Sequence, residues 1–239
     1  MTKVPQPNQL AQTRARGRQQ ERGADFPSSS HPMNDPNEIA ETLLDKILAA
    51  PSSGRRKVVA IVGPPASGKS TLSKVLAKRL TAKGCASAVV PMDGFHLDNQ
   101  VLSSLGLLAR KGSPDTFDAG GMLRMVNALP DAKQLFYPTF DRDEDFARAG
   151  AGMIDSTCEC VIVEGNYLLF DAPIWKELPK YWDVSVRLQV PFEILQRRLV
   201  QRWLDFGLSP DQAERRAMEN DIPNARLLEE HMLPASITI

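Results

Sequence analysis

The chain has 239 residues, 42% of them hydrophobic and 24% charged, which is ordinary for one α/β domain with a sizeable core. Lys plus Arg and Asp plus Glu number 29 each, so no overall charge attracts the chain to nucleic acid or to an acidic membrane. No apolar run approaches the roughly 20 residues that cross a bilayer, so we expect no membrane insertion. Cys85, Cys158 and Cys160 lack metal-site spacing and indicate the reduced thiols of a cytoplasmic protein.

The first 35 residues differ in composition from the rest. They are rich in Gln, Pro, Ser and Arg and contain almost no large apolar side chain. Such a segment buries too little apolar surface to offset its ordering entropy, so we predict a disordered N-terminal tail over 1–35. A transit peptide, a misplaced start and a dispensable leader stay open, since translation beginning at Met33 would lose nothing that is expected to fold.

Predicted helices and strands alternate along residues 36–239. A helix with capping residues at Asp35 and Glu38 precedes a buried strand at 58–62, and further strands are predicted at 88–90, 161–163, 184–190 and 237–239. Helices are expected after the first strand as far as Gly84, over 191–206, and from a capping box at Ser209. This alternation predicts an α/β fold, a three-layer doubly wound parallel sheet.

The first predicted strand runs into a glycine-rich loop that is followed by a helix. The loop, Gly63-Pro-Pro-Ala-Ser-Gly-Lys-Ser-Thr71, matches G-x-x-x-x-G-K-[ST] in the setting that this phosphate-binding motif requires. Lys69 is expected to reach the β- and γ-phosphates and the Ser70 hydroxyl to bind Mg²⁺, so ATP and Mg²⁺ are the predicted cofactors. Backbone N–H groups and a helix N-terminus hold phosphate in such loops, so we assign nucleotide binding to Gly63, Ala66, Ser67, Gly68, Lys69, Ser70 and Thr71.

Two carboxylates follow buried strands and are candidates for chemistry. Asp93 comes directly after the second predicted strand, and the carboxyl ends of strands in a doubly wound sheet face the ligand crevice. A carboxylate there can accept the proton of an attacking hydroxyl, although an Asp-Gly turn is the structural alternative. Glu164 ends another buried strand, where a carboxylate is costly unless it faces a metal or a hydrogen-bond donor.

Five segments, in this order, resemble the phosphoribulokinase/uridine kinase superfamily of P-loop kinases: 63–71, 92–96, 110–118, 137–142 and 161–169. Met-Asp-Gly-Phe and Arg-Lys-Gly-x-Pro resemble type I pantothenate kinase, whereas Pro-x-x-Asp-Arg resembles uridine kinase. The whole is most similar to bacterial nucleoside/pantothenate kinase-like and fructose-transport-associated kinases. The resemblance implies a P-loop NTPase kinase domain over 36–239 with the 2-3-1-4-5 strand order of nucleotide kinases. It also implies transfer of the γ-phosphate of ATP to an alcohol group.

The resemblance also implies roles for particular residues. Asp93 resembles the catalytic base, and Glu164 resembles the acidic residue that holds or orients Mg²⁺. Arg198 and Arg202, one helical turn apart, resemble the catalytic arginines of a lid that closes over the phosphates. The lid arginine of uridine kinases falls at Gln201 here, which leaves open which arginine acts. Acceptor binding is implied for Asp93, His96, Tyr137, Asp141 and Arg142.

The acceptor itself stays open at this point. Pantothenate, a nucleoside, fructose or another sugar, and glycerate are the alternatives. A nucleotide-binding regulator or a slow ATPase attached to a transport system is the other class of function. Asp93 and the Pro-x-x-Asp-Arg segment argue against that class, because a nucleotide sensor needs neither. The expected partner is a small-molecule acceptor and no nucleic acid, and a homodimer stays open.

Overall fold

The computed structural model describes residues 35–239, so the predicted disordered tail lies outside the described residues except for Asp35. Its strands are β1 Lys57–Val62, β2 Ser87–Pro91, β3 Leu135–Asp141, β4 Phe146–Ile154, β5 Cys160–Gly165, β6 Val184–Arg187 and β7 Ile237–Thr238. Its α-helices are α1 Pro36–Ala49, α2 Lys69–Ala82, α3 Asn99–Ser104, α4 Ala119–Ala128, α5 Phe192–Asp205, α6 Pro210–Arg216 and α7 Ile222–Glu230. No helix in this part of the chain is long and apolar enough to cross a membrane.

The main sheet is parallel and has the order β2-β5-β1-β6-β7. Counted among these five strands alone, the order is 2-3-1-4-5, which confirms the expected nucleotide-kinase topology. The central strand β1 pairs with β5 on one side and with β6 on the other, and Val58–Val62 are fully buried. A continuous β-branched run is typical of such a strand because both of its faces are covered.

Two hydrophobic layers cover the two faces of this sheet. Alternate residues of β1 point to opposite sides, so Val59 and Ile61 pack with α1 and α2, while Val58, Ala60 and Val62 pack with α4. Each large aliphatic side chain buried in this way contributes about 1.5–3 kcal/mol. The result is the predicted three-layer α/β architecture.

The sequence-based boundaries are close to the observed ones, with informative differences. Asp35 caps α1 by accepting a hydrogen bond from the Asn37 N–H, whereas the predicted capping box at Ser209 is fully formed. Strand β6 ends at Arg187 rather than at 190, although the Leu188 and Gln189 N–H groups still bond to the carbonyls of Val62 and Ile239. The helix that follows, α5, begins as expected just after Pro191.

The hairpin β3–β4 was not predicted and lies outside the main sheet. Its two strands are antiparallel, with a register irregularity between Tyr137 and Thr139, where Pro138 lacks an N–H. The hairpin packs directly on the turn Met92–Phe95 after β2. The backbones are so close that a Cβ on Gly94 would lie 2.1 Å from the Pro138 carbonyl oxygen. Only glycine fits there, and this close approach brings the hairpin to the carboxyl end of β2.

Candidate active site

The phosphate-binding loop connects β1 to α2 in the geometry that the motif predicts. Gly68 has φ of 95° and Ala66 has φ of 63°, so the chain passes twice through the left-handed region before the helix begins at Lys69. For Ala66 this conformation costs about 1–2 kcal/mol, and strain of this kind is typical of ligand-binding loops. The curl leaves the N-terminal N–H groups of α2 available for phosphate, because no side chain caps this helix.

Lys69 and Glu164 face each other beneath this loop, and both are buried. Burial lowers the pKa of Lys69, and the charges of Glu164 and Asp93 oppose that shift. Burial likewise raises the pKa of Glu164, and the Lys69 ammonium opposes that shift. The Lys69 Nζ also donates to the Pro64 carbonyl oxygen at 3.3 Å. A lysine and a glutamate side chain are therefore held away from water where phosphate and a metal are expected.

Ser70 at the start of α2 and Glu164 near the end of β5 fit a site for Mg²⁺. The Ser70 hydroxyl donates to Glu164 Oε1 at 3.0 Å, so two oxygen ligands lie together next to the loop. Mg²⁺ in phosphotransferases is bound by one or two such protein oxygens together with substrate phosphates and water. Within 35–239 no three His, Cys, Asp or Glu side chains form a cluster that could hold a metal ion. A metal at Ser70 and Glu164 would therefore complete its shell with phosphate oxygens and water.

The phosphate-binding loop lines a cavity with a volume of about 820 Å³, and Asp93 lies on the wall of this cavity. Its carboxylate is held by the hairpin, since Arg142 Nη2 donates to Asp93 Oδ2 at 2.6 Å. His96, the residue directly after the turn Met92–Phe95, stacks on Phe117 at 4.0 Å between ring centroids and approaches Phe140 at 4.9 Å. Burial lowers the pKa of His96 to about 4, so this ring is neutral at physiological pH.

The helix α5 brings two arginines to the cavity. Arg198 Nη1 donates to the Ala66 carbonyl oxygen at 3.1 Å and so joins this helix to the phosphate-binding loop. Arg202 also lines the cavity, and burial lowers the pKa of its guanidinium. Trp203 Nε1 donates to Asp221 Oδ2 at 2.6 Å, which fixes α5 against the segment between α6 and α7.

The structure brings most of the predicted site residues together. The loop residues Ala66–Thr71, Asp93, His96, Arg142, Arg198 and Arg202 all line this cavity; Gly63 begins the loop, and Glu164 is reached through Ser70. Tyr137 and Asp141 lie outside its lining. The Tyr137 hydroxyl donates to the Val89 carbonyl oxygen at 3.2 Å, and Asp141 accepts from two N–H groups of the hairpin turn and pairs with Arg148 at 2.7 Å.

Sequence reasoning missed several residues of the cavity. Lys111, Phe117 and Phe140 lie in segments that carried the family resemblance, but nothing in those segments indicated which side chains face the cavity. Asp145 and Asn166 were not singled out either, although both line it. Asn166 follows Gly165 at the end of β5, and this position after a buried parallel strand is the signal that would have identified it.

Comparisons with known proteins agree with this geometry. A family model described as an AAA domain matches residues 59–205, which include the phosphate-binding loop and α5. The protein YggC of Escherichia coli is 35% identical over 173 residues, which is 71% of this chain and 71% of that protein. The Schizosaccharomyces pombe protein named "Putative uridine kinase C227.14" is 30% identical over 201 residues, 77% of this chain and 83% of that one.

A solved structure is more similar still. The crystal structure of a "putative fructose transport system kinase" from Silicibacter sp. TM1040 is 50% identical and has a TM-score of 0.81, and the match covers 86% of this chain and 99% of that chain. These findings confirm the resemblance that the five sequence segments carry. The chain therefore belongs to the P-loop NTPases that the AAA-domain model describes and, among them, to the phosphoribulokinase/uridine kinase family of P-loop kinases.

Proposed function

We propose that the protein transfers the γ-phosphate of ATP to a hydroxyl group of a small-molecule acceptor, with Mg²⁺ as the metal. The observation that carries the proposal is that Asp93 and Lys69 line one cavity, with Glu164 joined to it through Ser70. The charge of Asp93 reaches both Lys69 and Glu164, since it opposes the downward pKa shift of Lys69 and adds to the upward pKa shift of Glu164. A candidate base thus lies within electrostatic reach of the phosphate and metal ligands.

The side chains have separate tasks in the proposed reaction. The acceptor oxygen attacks the γ-phosphorus, the bond from that phosphorus to the β–γ bridging oxygen breaks, and ADP leaves. Arg142 donates to Asp93 Oδ2, which orients the carboxylate and leaves Oδ1 to take the hydroxyl proton. Bound Mg²⁺ would neutralise charge on the phosphates, with Ser70 and Glu164 as its protein ligands.

The cations of the loop and of α5 stabilise the transferring group. Lys69 is buried beneath the loop, so its ammonium can move from the Pro64 carbonyl oxygen to phosphate without leaving the site. Arg198 and Arg202 add positive charge from the other wall, where negative charge develops on the γ-phosphate. Trp203 and Asp221 position the helix that carries both arginines, because their hydrogen bond ties α5 to its neighbour.

The test is ADP formation measured with and without candidate acceptors, for the parent and for Asp93→Asn. The substitution keeps the shape of the side chain but removes the proton acceptor, so acceptor-dependent turnover should fall by about 10²–10⁴-fold. The lower part of that range is expected, because the transition state is loose and the proton leaves late. Binding of ATP should be retained, since phosphate is held by Lys69 and by backbone N–H groups. Asp115→Asn, at an exposed residue outside the cavity, is the matched control.

Two outcomes would contradict the proposal. Turnover of Asp93→Asn within about threefold of the parent would reduce Asp93 to a turn residue and favour a nucleotide-binding regulator. ADP formation that no acceptor increases would favour a slow ATPase.

A further inference from the structure

The cavity has two ends that differ in charge. We call the residues Lys69, Glu164, Arg198 and Arg202 the phosphate end, and the residues His96, Lys111, Phe117, Phe140, Asp145 and Asn166 the acceptor end. Asp93 and its partner Arg142 connect the two ends, since the Asp93 charge acts on the pKa of Lys69 and on the pKa of His96. The phosphate end holds the three cations Lys69, Arg198 and Arg202 with the carboxylate of Glu164, and the charges of Asp221 and Asp93 also act on Arg202.

Lys111 is the cation of the acceptor end, and all of its hydrogen-bonding capacity is used within the protein. Its Nζ donates to Asn99 Oδ1 at 2.7 Å and to the Asp145 carbonyl oxygen at 3.0 Å, and it pairs with Asp145 Oδ1 at 2.9 Å. An ammonium has three N–H donors, so these contacts leave none for a ligand. The backbone of Lys111 is fixed as well, since Asn220 Nδ2 donates to its carbonyl oxygen at 3.1 Å.

The remaining cations near this end also face carboxylates. Arg142 pairs with Asp93 at 2.6 Å, so its charge is compensated by the candidate base. Arg216 donates to the Ala109 carbonyl oxygen at 3.4 Å and lies over the Trp203 ring. Burial raises the pKa of Asp221, and the charge of Arg216 opposes that shift. The excess positive charge of the cavity is therefore confined to the phosphate end, where ATP requires it.

The walls of the acceptor end are aromatic and neutral. His96, Phe117 and Phe140 form a contiguous group of rings, and the His96 ring carries no charge at physiological pH. Two polar atoms there have no hydrogen-bond partner among the described residues, His96 Nδ1 and Asn166 Oδ1. The neutral His96 ring has one nitrogen that accepts a hydrogen bond and one that donates, and the Asn166 amide oxygen accepts. A hydroxyl group, which both donates and accepts, is complementary to both atoms.

We propose that the acceptor is an uncharged polyhydroxy compound with one apolar face, a free sugar, a polyol or a nucleoside, and not a carboxylate or a phosphate ester. The inference rests on the proposed kinase function and names its substrate class. Hydroxyl groups can bond to His96 Nδ1 and Asn166 Oδ1, and a sugar or base face packs on the aromatic wall. A carboxylate would meet cations whose charges Asp145 and Asp93 already compensate, so the cost of its desolvation would not be repaid.

The experiment compares pairs of compounds that differ in one anionic group: glycerol and glycerate, pantothenol and pantothenate, fructose and fructose 6-phosphate, uridine and uridine 5′-monophosphate. ADP formation at saturating ATP and Mg²⁺ gives kcat/KM for each compound. Thermal stabilisation in the presence of a non-hydrolysable ATP analogue measures binding independently of turnover. The neutral member of a pair that reacts should exceed its anionic counterpart by about tenfold or more in kcat/KM, and most of the difference should be in KM.

A substitution tests whether charge pairing is the cause of this preference. Asp145→Asn leaves Lys111 without its carboxylate, and asparagine tolerates the left-handed backbone of this position, φ 58°. The preference should shift towards the anionic member by about tenfold relative to the parent. Asp143→Asn makes the same charge change in the same turn at an exposed residue outside the cavity, and it should leave the preference unchanged.

The outcomes separate this inference from the proposed function. An anionic compound that is phosphorylated better than its neutral partner would overturn the inference and leave the kinase proposal standing. Stabilisation by neutral compounds without ADP formation would support the inference and count against the kinase. If no neutral member of the panel binds or reacts, the inference is wrong, and equal shifts for Asp145→Asn and Asp143→Asn would remove its electrostatic basis.

Discussion

The phosphate end and the acceptor end of the cavity are built in different ways. The phosphate end rests on a contiguous stretch, Gly63–Thr71, in which local backbone geometry and one buried lysine create the phosphate site. The acceptor end is assembled from side chains at 96, 111, 117, 140, 145 and 166, which belong to separate turns, the hairpin and the end of β5. The phosphate-binding loop is thus local in sequence, while the acceptor end depends on long-range packing.

The two ends also differ in how their charges are compensated. At the phosphate end, the charges of buried Lys69 and Glu164 interact, and the two arginines of α5 add positive charge. At the acceptor end, Lys111 and Asp145 already compensate each other. We therefore expect substitutions at the phosphate end to reduce kcat, because they remove charge stabilisation from the transition state. Substitutions at the acceptor end should mainly raise the KM of the acceptor.

The largest effect is expected for Lys69→Ala. Removing a preorganised donor to developing charge costs about 10²–10³-fold in kcat. The ground-state contact with phosphate, about 1.5–3 kcal/mol, corresponds to a loss of about 10–150-fold in ATP affinity. Steady-state turnover and nucleotide binding are measured on the same preparation, with Lys78→Ala, an exposed position of the same helix, as the control. Equal losses in both quantities would mean that Lys69 only binds ATP, and retained activity would contradict the motif assignment.

The elements that sequence reasoning identified are those with strong local signals. The β-branched strand β1, the loop and the start of α2 follow from patterns within about 25 residues, and the order of the parallel strands followed from the family resemblance. Asp93 and Glu164 could be expected near the loop because they lie at the carboxyl ends of the parallel strands β2 and β5. Strand ends at one edge of a parallel sheet converge whatever the intervening sequence is.

The parts that could not be predicted depend on distant contacts. The packing of the hairpin on the turn at 92–95 follows from the missing Cβ of Gly94, and an Asp-Gly pair alone does not indicate that a second strand lies against it. Arg142 and Asp93 are 49 positions apart, and Lys111 and Asp145 are 34 apart. No local sequence pattern predicts such pairs. Tyr137 and Asp141 were therefore expected to bind the acceptor, whereas the hairpin places both outside the cavity lining.

The next largest effect is expected for His96, on the pH dependence of the free energy of unfolding. Burial lowers the pKa of His96 from 6.5 to about 4; Asp93 and Asp145 oppose the shift, and Lys111 adds to it. The unfolded chain therefore binds a proton more readily, and the free energy of unfolding falls as pH drops below 6.5, with the whole contribution lost below about 4. By pH 5 the loss from this group is about 2 kcal/mol.

The measurement for His96 is denaturant unfolding of the parent and of His96→Gln at pH 7.5 and pH 5. Because glutamine does not titrate, the variant should lose about 2 kcal/mol less than the parent between these two pH values. His231→Gln, which removes an exposed histidine, should follow the parent. Identical losses for the parent and His96→Gln would show that the His96 ring is not kept neutral, and the contrast between an uncharged acceptor end and a charged phosphate end would lose one of its supports.

The smallest effect is expected for Phe140→Ala, which removes one wall of the acceptor end. The ring is half-buried, contacts His96, and lies 5.1 Å from the Lys111 ammonium, but it is remote in sequence from the phosphate-binding loop. Loss of its packing surface should raise the acceptor KM by about tenfold and leave kcat within about threefold. Phe136→Ala makes the same change on the same strand at a side chain that is 59% exposed and outside the cavity, so it should change neither parameter. A loss in kcat comparable to that of Lys69→Ala, with KM unchanged, would mean that the two ends do not act separately and that the aromatic wall orients the reacting groups rather than binding the acceptor.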